Sequence, residues 1–115
     1  MAAASAQALP EPGPRWGAIA STHRSHGYAF NHPSRSAAEL AALAQCNRAA
    51  GRQGGCAVRI SFDRSCGALA QGNYGEWGAA TASTRDAAAK EAAARCDGHL
   101  PTEPCKVVVR VCSQG

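Results

Sequence analysis

Apolar positions along this chain change period in a fixed order, and they do so twice. Short apolar runs at residues 16–20 and 27–30 flank a polar stretch at residues 21–26, which predicts a β-hairpin. Pro33 then stops the extended chain. Ser34 stands where a helix cap belongs, and Ser36 with Glu39 forms a competing capping box. Leu40, Leu43 and Ala44 follow at i, i+3, i+4 spacing, so a helix is predicted to bury that stripe and to end near Cys46 and Asn47. Gly51, Gly54 and Gly55 break the chain. Beyond them the period falls to two. Val58, Ile60 and Phe62 alternate with Arg59, Ser61 and Asp63, the pattern of a strand with one covered and one wet face.

The series then returns. Gly67-Ala68-Leu69-Ala70 repeats Gly17-Ala18-Ile19-Ala20, residues 72–75 supply a turn, and residues 76–81 the second hairpin strand. Thr84 and Arg85 stand for Ser34 and Arg35. Residues 87–96 are almost pure alanine, the strongest helix former. Val107, Val109 and Val111 repeat the alternation of Val58, Ile60 and Phe62. A shift of 50 residues aligns Arg35 with Arg85 and Cys46 with Cys96, and one deletion aligns Cys56 with Cys105. A repeat of this length dictates architecture, because one copy is too thin to bury its own apolar faces. The expectation is an α+β domain. Its two ββαβ repeats form one mostly antiparallel sheet of about six strands, with two Ala-rich helices on one face. The folded unit is placed at residues 16–115, repeat one at 16–66 and repeat two at 67–115. Residues 1–15, with Pro10, Pro12 and Pro14, read as a leader outside the fold, and the A-x-A spacing near Met1 as the remnant of a signal peptide.

Composition alters this picture in one respect. Alanine dominates the apolar residues and there are only two each of Trp, Tyr and Phe, so the core is thin and needs reinforcement. Six cysteines can provide it. Their spacing is wide and contains no C-x2-C, which favours three disulfides over zinc. Fifteen pairings are possible, and repeat symmetry selects Cys46–Cys56 and Cys96–Cys105, each tying a helix end to its return strand. Cys66–Cys112 remains, and is expected to join the two repeats. Disulfides imply an oxidising compartment, hence export to the periplasm or the extracellular space.

The formal net charge of +4 is scattered along the chain. It suits an anionic envelope polymer better than nucleic acid, which calls for a basic stripe. No segment is apolar enough to span a membrane, and no cofactor or metal is expected. His23, His26 and His32 cluster around the first hairpin without the spacing of a metal motif. Together with Arg35 and Arg85 beside the helix caps and Tyr74 in the second turn, they are the candidate binding residues. No catalytic set is assigned. Trp16 and Trp77 each open a Trp-Gly-Ala strand and are expected to pack as near-equivalents in the core or at a sheet edge.

The series Trp16-Gly-Ala-Ile-Ala, Ser34-Arg35, Cys56-Ala-Val-Arg-Ile, Cys66-Gly-Ala-Leu-Ala, Thr84-Arg85 and Cys105-Lys-Val-Val-Val-Arg-Val-Cys112 resembles a family of small secreted bacterial domains of unknown function. The resemblance runs from Trp16 to Ser113. It implies export and a disulfide-held fold, and some members look like secreted effectors. The functional expectation is a secreted or periplasmic, monomeric, non-enzymatic binding module, an effector or a protective inhibitor. It would act on a protein or an anionic envelope polymer. The alternative is a small secreted hydrolase such as a nuclease, using His26 or His32 with Glu76.

Overall fold

Among the described residues six strands and two α-helices form in the order the repeat requires. In this computed structural model, which describes residues 13–100 and 103–113, the first copy runs β1 (Trp16–Ser21), β2 (His26–His32), α1 (Arg35–Ala50) and β3 (Ala57–Asp63). The second runs β4 (Cys66–Gln71), β5 (Trp77–Ala82), α2 (Arg85–Asp97) and β6 (Lys106–Cys112). The expected leader lies outside the described residues except for 13–15. Of these, Arg15 is tied to the fold: its amide donates to Asp63 Oδ1 at 2.9 Å and its carbonyl accepts from the Arg64 amide.

Both helices start at the first cap in line. Ser34 Oγ accepts from the Ala37 amide and Thr84 Oγ1 from the Ala87 amide, each at 3.1 Å. The rival box is not used, because Glu39 turns to other partners described below. The buried stripe also differs from the expected one. Leu40 is 68% exposed, whereas Ala38, Ala42 and Cys46, spaced by four, are buried. The reason lies in the sheet. A methyl group at Gly27 would sit 2.4 Å from the Cys46 amide nitrogen and 2.5 Å from the Ala42 carbonyl oxygen, so α1 approaches the strand backbone too closely for leucine. Gly78 does the same against Cys96 and Ala92 of α2.

The α+β class, the two ββαβ repeats and the antiparallel pairing are as expected. The six strands, however, divide into two three-stranded sheets, ordered β2–β1–β3 and β5–β4–β6, rather than forming one sheet of six. The sheets pack face to face, and the helices cover opposite outer faces instead of sharing one. Ala18 and Ala20 point to α1, Ala68 and Ala70 to α2. Ile19, Leu69, Phe62 and Val109 point inward and make the layer between the sheets. Phe62 fits there because Gly17 and Gly67 leave room for its ring from either side.

A bulge explains how β3 and β6 serve both layers. Ile19 pairs with Ile60 but Ala20 with Val58, so Arg59 is an extra residue, and Val108 is extra in the same way on β6. The extra residue flips the faces. Val107 therefore packs toward α2 while Val109 and Val111 face the interior, where strict alternation had put all three together.

The structure forms Cys46–Cys56, Cys96–Cys105 and Cys66–Cys112. The first two tie helix ends to return strands. The third does not join the repeats. Cys66 opens β4 and Cys112 closes β6, directly opposite each other in one sheet, and the equivalent pair in the first copy is Trp16 and Asp63. Trp16 is thus the counterpart of Cys66, while Trp77 matches His26, so the two tryptophans are not equivalent. Asn47 Oδ1 and Asp97 Oδ1 receive the amides of Cys56 and Cys105, at 3.1 and 2.8 Å, which fixes each helix end to its strand a second time.

Candidate functional site

The topology sends the candidate residues to two ends of the sandwich. Both hairpin turns, residues 22–25 and 72–76, lie at one end with the helix C-termini; both helix N-termini lie at the other. At the turn end the two copies touch. Gln71 Nε2 donates to the Thr22 carbonyl at 2.9 Å, and the His23 ring lies against Gly75. Tyr74, in that second turn, is 67% exposed. Shallow hollows surround these turns, one lined by His23, Arg24, Gln71, Gly72 and Asn73, another by Tyr74, Gly75, Glu76, Trp77 and His99. Inside, Arg59 Nε donates to the buried Ser21 hydroxyl at 2.9 Å and its guanidinium lies 4.4 Å from the Trp77 ring centre, a cation–π contact between the sheets.

His23, His26 and Tyr74 therefore share one end, but His32 does not. It pairs with Trp16 at the far end of β2, about 20 Å from His26 at the usual rise per strand residue. This separates His32 from Glu76, so that half of the expected acid–base alternative has no geometry. His26 and Glu76 both stay at the turn end, yet no hydrogen bond joins them among the described residues. Glu76 folds over Gly72 and accepts the Tyr74 amide through Oε1 at 2.8 Å; its Oε2 and His26 Nδ1 are buried and unpartnered. No cluster among the described residues could hold a metal ion, and no helix among them is long and apolar enough to cross a membrane.

Arg35 and Arg85 stand at the opposite end in unlike surroundings. Arg35 Nε donates to Glu39 Oε2 at 2.9 Å, and the Ser61 hydroxyl donates to the same oxygen at 2.6 Å. These bonds, from Ser61 first and then Arg35, hold the Glu39 carboxyl below its ordinary value of 4.5 despite the opposing effect of partial burial. Arg85 has no such acid, because the position equivalent to Glu39 is Ala89. It borders an open groove of about 490 Å³ with Tyr28, Phe30, Arg110, Val111 and Cys112. Arg110 Nη1 is 3.2 Å from Asp86 Oδ1. Tyr28 and Phe30 are 38% and 48% exposed, their rings nearly parallel at 11° with centres 6.4 Å apart.

The capped alanine helices, the bulged return strands and the bridges form one pattern that extends from β1 to β6. The chain belongs to a family of domains of unknown function, DUF4189, which it matches over residues 16–112. No curated protein and no solved structure matches it.

Within this DUF4189 domain the groove residues Tyr28, Phe30 and Arg110 were not among those singled out from the sequence. A signal for the aromatic pair was present. Gly27 and Ala29 are small and alternate with Tyr28 and Phe30, so once the small residues meet a helix the aromatic ones must face away from it. Arg110 carried no comparable mark. It meets Asp86 only because β6 passes beside the first turn of α2.

Proposed function

We propose that this domain is an exported binding module that works by contact with a polymer or protein of the cell envelope or its surroundings. The observation that carries this reading is the placement of its aromatics. Tyr28, Phe30 and Tyr74, half of the six in the chain, are exposed, whereas Phe62 is the one aromatic buried among the described residues, in a core built mostly from alanine and aliphatics. Leaving two neighbouring rings exposed when a single ring fills the core favours a partner that covers them. Export is supported by the three bridges, which persist in oxidising compartments.

The hollows are open and shallow, which suits contact with the surface of a polymer or protein better than enclosure of a small substrate. The test is capture from an envelope fraction with the oxidised protein, alongside an assay of RNA turnover. A partner retained by the native domain and released from the Tyr28→Ala/Phe30→Ala/Tyr74→Ala protein is the expected result. RNA turnover abolished by His26→Ala, with nothing captured, would instead establish the hydrolase.

A further inference from the structure

We infer that the groove between β2 and β6 is a binding site for a carboxylate-bearing glycan, with Tyr28 and Phe30 as the sugar platform and Arg85 as the carboxylate anchor. This rests on the binding-module reading and names its ligand class. The pseudo-twofold repeat supplies an internal control. The equivalent edge, between β5 and β3, carries Ala79 and Thr81 where β2 carries Tyr28 and Phe30, and Arg35 where α2 carries Arg85. There the cation is neutralised by Glu39, and the interior side is filled by the buried ring of Phe62. At the β2–β6 edge the counterpart of Phe62 is the smaller Val111, Tyr28 and Phe30 stand at the exposed margin of the inner face, and Arg85 makes no ion pair among the described residues. Packing alone explains the closed edge. It does not explain the open one.

The chemistry of the lining selects the ligand. The C–H face of a pyranose is complementary to the electron-rich face of an aromatic ring, and Tyr28 and Phe30 stand in the lining as a stacked, near-parallel pair with centres 6.4 Å apart. Arg85 offers a guanidinium fork, the group best matched to a carboxylate. Asp86, 95% exposed and outside the lining, pairs through one oxygen with the lining Arg110. With Arg110 paired to Asp86, Arg85 is the lining cation without an ion pair among the described residues, which suits a single carboxylate contact better than the run of phosphates of a nucleic acid. A volume of about 490 Å³ lies within the range of ligand clefts.

The experiment titrates the oxidised domain with oligogalacturonate, its methyl ester, poly-L-glutamate and oligodeoxythymidylate, followed by tyrosine fluorescence and calorimetry. Oligogalacturonate should bind, and its methyl ester should bind roughly tenfold or more weakly because the charge-assisted bond is gone. Arg85→Ala and Tyr28→Ala/Phe30→Ala should each lose roughly tenfold or more, while Thr81→Ala, at the equivalent edge, and Leu40→Ala, exposed on α1, bind as the parent does. Unchanged thermal unfolding of the variants would show that the loss is local. Equal binding of poly-L-glutamate or of oligodeoxythymidylate, or indifference to Tyr28 and Phe30, would overturn the assignment while leaving a binding module in place. No binding of oligogalacturonate to the parent would overturn it too. The envelope capture then decides separately whether the module binds something else.

Discussion

Beside β3, Arg35 is held by Glu39, and Glu39 by Ser61; beside β6, the equivalent arginine, Arg85, has no acid opposite it and faces two exposed rings. The two copies agree at most of the residues that shape the scaffold, the Cys66–Cys112 bridge and the Phe62 ring apart. Ser34 and Thr84 cap, Gly27 and Gly78 admit a helix, and Asn47 and Asp97 hold the return strand. They also finish their open strand edges alike, in that Gln45 accepts the Tyr28 amide and Arg95 donates to the Ala79 carbonyl, so both edges are blunted from the helix. The copies diverge in what they present to solvent. The scaffold is repeated, and one edge is open where the other is closed.

The comparison can be broken most forcefully at the bridge that only one copy has. Removing Cys66–Cys112 by a double serine substitution should cost about 4 kcal/mol in urea unfolding, against about 3 for either short bridge, from the longer loop it closes. A smaller loss than for Cys46–Cys56 would mean that the neighbouring pairing already holds β4 to β6. Next come the centres of the inner layer. Ile19→Ala and Leu69→Ala should each cost about 3 kcal/mol and agree closely, since both side chains are fully buried at equivalent places. Unequal losses would show that the two sheets do not share the layer evenly. Gly27→Ala and Gly78→Ala should follow at about 2 kcal/mol each, because the added methyl meets helix backbone that cannot move aside.

The smallest effect is specific to one copy. Glu39 has a lowered folded-state pKa, so its contribution is present above the unfolded value of 4.5 and is lost as pH falls through the folded value. Glu39→Gln should therefore cost less than about 1 kcal/mol at neutral pH and flatten the decline in stability below pH 4.5. Thermal unfolding between pH 3 and 7, about that 4.5, measures it. Position 89 of the second copy, an alanine, can contribute nothing of the kind.

Much of this fold was legible because the repeat let weak local signals support each other. The caps, both hairpins, the return strands and the cysteine pairing all follow from Ser34 against Thr84 and Cys46 against Cys96. The division into two sheets was also written in the sequence. Gly17-Ala-Ile-Ala and Gly67-Ala-Leu-Ala are unbroken apolar runs, the mark of strands covered on both faces, which one sheet with helices on one side cannot provide. The bulges at Arg59 and Val108 were not legible, since no glycine marks either, and they concealed the switch of faces. On the candidate site the sequence was less informative. It singled out histidines by residue type, but strand direction carried His32 away from the other two. The aromatic groove depends on β2 and β6, distant in the chain, meeting across the sandwich.

The closeness of each helix to its sheet sets how this family can drift. Ala38, Ala42, Ala88 and Ala92 lie directly on strand backbone, so the residues that cannot grow are the smallest ones, while Ile19, Leu69, Val109 and their neighbours can exchange among aliphatics of similar volume. Among sequences selected only for folding, alanine and glycine should be the fixed letters and the larger aliphatics the variable ones, the reverse of an ordinary core. A saturation library sorted for oxidised, protease-resistant protein would display that inversion directly.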